Sequence, residues 1–436
     1  MAGPLAMVVG VGLLVLASRA GSAAFRRAGL PRVVGEIVGG LLLGPTVLGV
    51  AWPEAHRWLF HGPSAGVLSA LSWLGLVLLM FVSGFEIRGE FSREDHRIAG
   101  ILLLGATTVP FLAGVVAPLA FNFSGYLGPH GNRVSMMIVV GIAVAVTSIP
   151  VISKIFLDLG IIDTRFARLV LAVAAVEDIC LWVALAVAVG LASAAPPSAA
   201  EMVTTPAITV AFSLLALVGL PRVLQALFAS PAGSALRRAA LPFSLALALV
   251  AGGIAQALGI NVVFGAFLAG AALGALPGED LEPAKARIRS AGLGLFAPLY
   301  FAIVGLKLDL VHRFDPAFFI GFLLFCTAIK TGATLVAGRV AVRDWRSTFN
   351  LAAALNARGG PGIVLATVAF DRGIIDERFF VTLVLIAIVT SLMAGYWFRA
   401  VLSRGWELLR VGERPQGRDR AARRLGVTAT AADPAA

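Results

Sequence analysis

Apolar stretches of about 20 residues, the length a helix needs to cross a bilayer's hydrocarbon core, recur from one end of this chain to the other, separated by short polar segments. The pattern predicts about thirteen spans, near 4–20, 32–50, 65–86, 98–121, 134–157, 166–192, 204–228, 239–257, 260–276, 290–309, 316–338, 349–370 and 377–402. The first does not read as a cleaved signal. MAGPLAMVVG carries no positive charge, and Arg19, Arg26 and Arg27 follow the apolar run rather than precede it. The fold class is therefore an all-α polytopic membrane protein.

Composition agrees: 59% of the 436 residues are hydrophobic, only 14% are charged, and the mean hydropathy is +0.92. A formal charge of +11 would suggest nucleic acid as partner of a soluble protein. Here the basic residues fall on alternate loops instead, as basic residues of cytoplasmic loops do, and no nucleic acid is implied. Arg88, Arg93 and Arg97 share one side with Lys154, Arg165, Arg168, Arg222, Arg237, Arg238, Lys285, Arg287, Arg339, Arg343 and the basic tail. The other side holds about six, chiefly Arg57, Arg133, Lys307, Arg313, Arg372 and Arg378. An odd number of spans, N-terminus out and C-terminus in, satisfies the rule. Cys180 and Cys326 lie inside apolar runs and read as packed thiols, not as a disulfide or metal pair.

One span carries an expensive feature. LVLAVAAVEDICLWVALAVAVGL (Leu169 to Leu191) has adjacent carboxylates, Glu177 and Asp178, near its middle. A single ionisable group there costs roughly 2.5–3.5 kcal/mol on insertion scales, and in a membrane interior it ordinarily marks an ion or proton path. Successive residues on a helix point about 100° apart, so one carboxylate can face a cavity while its neighbour faces a protein partner.

Two other spans are interrupted. VGIAVAVTSIPVISKIF breaks at Thr147, Ser148 and Pro150, where proline removes a backbone donor and obstructs the preceding turn. Hydroxyls beside freed carbonyls can coordinate a small cation, although a plain proline kink gives the same pattern. LNARGGPGIVLATVAF repeats the feature with Asn356, Arg358, Gly359, Gly360, Pro361 and Gly362. Interrupted helices in comparable places of the two halves point to a transporter built from inverted repeats. Arg358 suits the role of neutralising exposed carbonyl ends more than direct ion contact. Lys330 is a lone mid-span ammonium, too far from either end to reach water, and calls for one of the carboxylates as partner, whether for transport or as a structural ion pair.

The chain resembles the monovalent cation:proton antiporter-2 family along nearly all its length. The motifs, in order, are LPRVVGEIVGGLLLGPTVLG, LGLVLLMFVSGFEI, TSIPVISKI, AVEDI, PLYFAIVGLKLDL and ARGGPGIVLA. The resemblance implies a six-helix core with two crossed, unwound helices (about 98–192 and 316–402), and beside it a dimerisation scaffold (about 4–86 and 239–309). Residues 204–228 would link them within a membrane domain of residues 1–402, and the protein would be a homodimer. By resemblance Asp178 matches the essential cation- and proton-binding aspartate, Glu177 its neighbour, and Lys330 the lysine that pairs with the neighbour. Thr147 and Ser148 complete the expected cation site, Lys330 and Arg358 the compensating charges, and no cofactor is implied. The first acidic position is Glu where relatives commonly carry Asp, Asn or Gln, which leaves the choice of Na⁺ or K⁺ and the stoichiometry open. Residues 403–436 are basic, lack apolar periodicity and are expected to be disordered, unlike the nucleotide-binding domain of Kef-type relatives.

Other signature residues have plainer roles. Glu36 reads as hydrogen-bonded or solvated near the cytoplasmic end of its span, Glu86 as facing water, Asn261 as a helix cap, and Gly35, Gly39, Gly40 and Gly44 as sites of close helix approach. No nucleophile–base constellation of an enzyme is evident. Burial and a like-charged neighbour favour a carboxylate's proton, whereas a nearby ammonium favours its loss. A site under both influences holds a proton or a cation but not both, which is the requirement for exchange. The function expected is a cation:proton antiporter. The alternatives are an organic-solute symporter or exporter on a similar crossed-helix fold, which needs a larger midplane cavity, and a cation channel, which needs an open filter.

Overall fold

The computed structural model describes residues 2–85, 93–192, 199–231, 233–276, 286–287, 290, 294 and 296–410. The sequence readings for Glu86, Arg88, Lys285 and most of the basic tail lie outside the described residues. The helices are, in order, α1 Ala2–Arg27, α2 Arg32–Leu43, α3 Leu48–Ala51, α4 Pro53–Phe60, α5 Pro63–Phe85, α6 Arg93–Leu103, α7 Val109–Ala120, α8 Arg133–Ala145, α9 Ile149–Asp158 and α10 Arg165–Leu191. They continue with α11 Ala199–Leu214, α12 Leu220–Ala229, α13 Gly233–Arg238, α14 Ala240–Ala257, α15 Val262–Gly274, α16 Ala297–Leu306, α17 Pro316–Val342, α18 Trp345–Leu355, α19 Gly359–Asp371 and α20 Glu377–Ser403. π-helical turns at Leu104–Thr108 and Leu215–Gly219 join α6 to α7 and α11 to α12.

Among the described residues nine helical segments are long and apolar enough to cross a membrane, and four shorter apolar helices accompany them. Each predicted span falls on one of these. In so uniformly apolar a chain, the starts are set by polar residues that cap the first turn. Asn132, Thr164, Asp315, Asp344 and Asp376 each accept a backbone N–H three residues on, and Asn261 accepts that of Val263 at 2.8 Å. The span expected at 32–50 is two pieces, because α2 stops ahead of Gly44 and Pro45.

The helices pack in two groups. α1, α2, α5, α15 and α16 pack against one another, at distances only glycine permits: a Cβ on Gly40 would overlap the Ala302 carbonyl. The second group is α6 to α10 with α17 to α20. α11 lies on α10, while the π turn after it and α12 lie on α15, so this segment touches both groups. Trp182 of α10 stacks on Phe264 of α15 at 5.8 Å, and Lys154 of α9 reaches Glu36 of α2 at 3.4 Å. Glu36 also accepts from Ser22 at 3.1 Å and is only 3% exposed, so it is hydrogen-bonded in a buried setting, not solvated.

The two interrupted spans cross. Between α8 and α9 the backbone is non-helical over Val146, Thr147 and Ser148, and Pro150 is the second residue of the new helix, where its missing N–H has no partner to lose. The sequence places the other break at Gly359, Gly360, Pro361 and Gly362. The structure puts it just before them, at Asn356–Arg358, and these four residues form the first turn of α19. The reason is the same as for Pro150: a first-turn N–H is an orphan in any helix, so Pro361 starts α19 instead of stopping α18. Ser148 N donates to Ala357 O at 2.7 Å and Thr147 Oγ1 to Leu355 O at 2.7 Å, tying one break to the other.

Gly359 sits where the breaks touch, and a Cβ there would overlap Val151. Gly359→Ala is expected to cost about 1–3 kcal/mol through this overlap. Adding Val151→Ala should recover part of the loss. Thermal unfolding of both variants in detergent checks it, and an unchanged midpoint for Gly359→Ala rules the contact out as a constraint.

Candidate functional site

Halfway along α10, level with the crossing, stand Glu177 and Asp178, 0% and 1% exposed. Their helical offset sends them to different neighbours. Glu177 Oε2 accepts from Lys330 Nζ at 2.9 Å and from Thr107 Oγ1 at 2.7 Å. Asp178 instead lines a small pocket of about 20 Å³, with Ile142, Val146, Leu181, Trp182, Pro361 and Leu365, room for about one water. One oxygen of each carboxylate, Glu177 Oε1 and Asp178 Oδ2, is buried without a protein hydrogen-bond partner. Buried acceptors are rarely left so, and each of these oxygens keeps lone pairs that no protein donor uses.

The pocket lies on one side of the crossing. Asn132 Nδ2 donates to Leu191 O at 2.6 Å and His130 N to Gly373 O at 2.9 Å, so the start of α8, the end of α10 and the end of α19 share one face of the molecule. Leu181 and Leu185 follow Asp178 toward that face, as Leu365 follows Pro361. The pocket thus extends from the crossing toward the face of Asn132, Leu191 and Asp371.

Ending α8 at mid-membrane leaves its last carbonyls without helical donors and concentrates the negative end of the helix dipole there. Two cations answer this. Arg358, 2% exposed, donates through Nε to Ala143 O at 3.1 Å and through Nη2 to Val144 O at 3.1 Å and Cys326 O at 2.9 Å. Its Nη1 donates to Asn356 Oδ1 at 2.7 Å. Lys330 Nζ donates to the next carbonyl, Ala145 O, as well as to Glu177. Lys330 therefore bridges a carboxylate and a helix end, which no spacing in the sequence announces.

Thr147 and Ser148 are fully buried at the break, but their described side-chain hydrogen bonds are structural: Thr147 donates across the crossing to Leu355 O, and Ser148 Oγ caps α9 by accepting from Val151 N at 3.3 Å. A hydroxyl that donates to a carbonyl keeps lone pairs for a cation. Pro361 contributes to the pocket wall, while Gly359, Gly360 and Gly362 pack within α19's buried first turn. Pro150 lies in the first turn of α9.

Thr107 is not among the residues expected above, although the sequence holds a signal for it. Thr107-Thr108-Val109-Pro110 repeats the pattern of Thr147-Ser148-Ile149-Pro150, two hydroxyls followed after one residue by proline inside an apolar span.

Comparison with known proteins gives the same architecture. The chain is 30% identical over 368 residues to Cation/H(+) antiporter 15 of Arabidopsis thaliana, covering 83% of this chain and 44% of that protein. It thus spans somewhat less than half the length of the curated plant relatives it matches. It is 26% identical over 372 residues to the Na(+)/H(+) antiporter NhaS4 of Synechocystis sp., covering 85% of this chain and 90% of that one. Among solved structures, the fold is similar to the sodium proton antiporter MjNhaP1 of Methanocaldococcus jannaschii, with a TM-score of 0.59 and 14% identity over 95% of this chain and all of that one. The profile of the family described as sodium/hydrogen exchanger, transmembrane, matches residues 12–404, and the chain belongs to that family.

Proposed function

We propose that this chain is a secondary antiporter of the cell membrane that exchanges Na⁺ or K⁺ for H⁺, the two competing for Asp178. The observation that carries the reading is the unpartnered Asp178 carboxylate in a pocket at the helix crossing, beside a Glu177 already engaged by Lys330 and Thr107. A proton or a cation neutralises Asp178; neither can bind while the other is there. Lys330 and Arg358 compensate the carbonyl ends and Glu177, and Thr147 and Ser148 stand as further oxygen ligands beside the break.

Alternating access follows if the group holding α6–α10 and α17–α20 moves as a core against the group holding α1, α2, α5, α15 and α16. The latter is the scaffold through which two copies pair. With the N-terminus outside, the face of Asn132, Leu191 and Asp371 is external, and the pocket leads outward. Trp182 on Phe264 and Lys154 on Glu36 are then contacts that such a motion remakes. The organic-solute reading is disfavoured by size: among the described residues the pocket beside Asp178 has a free volume of about 20 Å³, whereas pockets for organic ligands run to roughly 300–1,000 Å³.

Purified protein in liposomes loaded with a pH-sensitive dye tests the proposal. Adding Na⁺ or K⁺ on one side should draw protons from the other side to it, and acidifying the cation side should raise the apparent KM without lowering the maximal rate. A pH gradient that neither ion dissipates would refute it.

A further inference from the structure

Buried hydroxyls in these helices bond mostly to their own backbone. Ser83, Ser213, Thr334, Thr367, Thr390 and Ser391 each donate to the carbonyl four residues back, the usual resort of Ser and Thr in an apolar helix. Thr107 differs: it is 6% exposed, lies within a five-residue π turn, and donates across to Glu177 of another span. A π turn accommodates one extra residue in the helix, and one residue is about 100° of rotation. Isolated π turns inside α-helices are frequent at functional sites.

We propose that the π turn Leu104–Thr108 aims the Thr107 hydroxyl at Glu177, making Thr107 a positioning residue that holds this carboxylate when Lys330 lets go of it. The inference rests on the exchange reading above. In the state described, Glu177 Oε2 receives both Lys330 and Thr107. The charges around it are Asp178 on its own helix, Lys330 on α17 and Arg358 at the second break, with the Cys180 thiol nearby on α10. A cation entering beside Asp178 repels Lys330 and competes with it for carboxylate oxygen. Thr107 carries no charge, is not repelled, and keeps Glu177 in place. Its contribution is therefore largest in the cation-loaded state.

That difference predicts a split in the kinetics. Thr107→Val keeps the shape and removes the donor, so the apparent KM for the cation should rise about tenfold, or about 1.4 kcal/mol, with the maximal rate within about twofold of wild type. Thr107→Ser, which restores the hydroxyl, should return KM to within about twofold. Thr107→Cys, a weaker donor of similar size, should fall between them and also serves if the valine variant does not fold. Exchange is measured on the full chain in liposomes, with thermal midpoints recorded alongside. A KM unmoved in Thr107→Val and Thr107→Cys, or raised equally by Thr107→Ser, overturns the assignment. A wild-type protein that exchanges neither ion overturns the antiporter reading itself, so the two failures are told apart.

Discussion

Asp178→Asn should abolish exchange of every monovalent cation while leaving the protein folded. Asparagine keeps the size and one carbonyl oxygen of the side chain but can neither ionise nor release a proton. A cation at mid-membrane without its counter-charge costs roughly 2.5–3.5 kcal/mol even on the lenient insertion scales, and each 1.4 kcal/mol is about a factor of ten. Cation binding should therefore weaken by about a hundredfold or more, and the proton half of the cycle is lost outright. The fold has little reason to suffer, because the buried Asp178 Oδ2 has no protein partner to lose. Removing a buried, unpaired charge ordinarily helps stability. The measurements are exchange in liposomes, cation binding by calorimetry and a thermal midpoint; normal exchange by Asp178→Asn would remove Asp178 from the mechanism. Glu177→Gln should be milder, changing ion preference or pH dependence, because that carboxylate is held by Lys330 and Thr107.

The contrast between Thr107 and Thr147 explains how much of this could be read beforehand. Spans were legible because apolar runs and polar caps are local properties, and Asn261, expected as a cap, accepts the Val263 N–H at the start of α15. The carboxylate pair was legible because charge in an apolar run is costly wherever it occurs. What proline does to a helix is not local. The same hydroxyl–hydroxyl–x–proline pattern gives a π turn within a continuous rod at Thr107–Pro110 and an outright break at Thr147–Pro150. The difference lies in what is nearby: at the second site Arg358 and Lys330, from distant spans, satisfy Ala143, Val144 and Ala145. A break is stable only where such donors arrive, and their arrival is a tertiary fact. The second partner of Lys330 and the position of the other break at Asn356–Arg358 were hidden for the same reason.

Lys330→Gln should lose the voltage sensitivity of exchange before it loses exchange, and Lys330→Met should lose the fold's stability as well. The ammonium sits between Glu177 Oε2 and the Ala145 carbonyl, fully buried. Were it purely structural, it would stay charged through the cycle, and one proton would leave for each cation that enters. The geometry permits more. A neutral amine still donates to Ala145, and Glu177 still has the Thr107 hydroxyl, so Lys330 can give up a proton without orphaning either partner. Two protons, one from Asp178 and one from Lys330, would then leave per cation, and each cycle would move one net charge. At about 2.3 kcal/mol per charge per 100 mV, a potential of that size would shift the equilibrium cation gradient about 50-fold. Glutamine retains a donor for Ala145 but has no proton to release, so its exchange should be one-for-one and indifferent to voltage. Methionine retains neither, leaving Glu177 charged with a single donor, and breaking a buried pair in this way costs about 3–5 kcal/mol. The deciding measurement is the reversal condition: clamp the voltage with an ionophore for an ion that is not the substrate, vary the cation gradient, and find where net proton movement stops. A wild-type null point that does not move with voltage makes Lys330 a structural bridge between helix end and carboxylate. One that moves in wild type and stays fixed in Lys330→Gln makes it the second proton carrier.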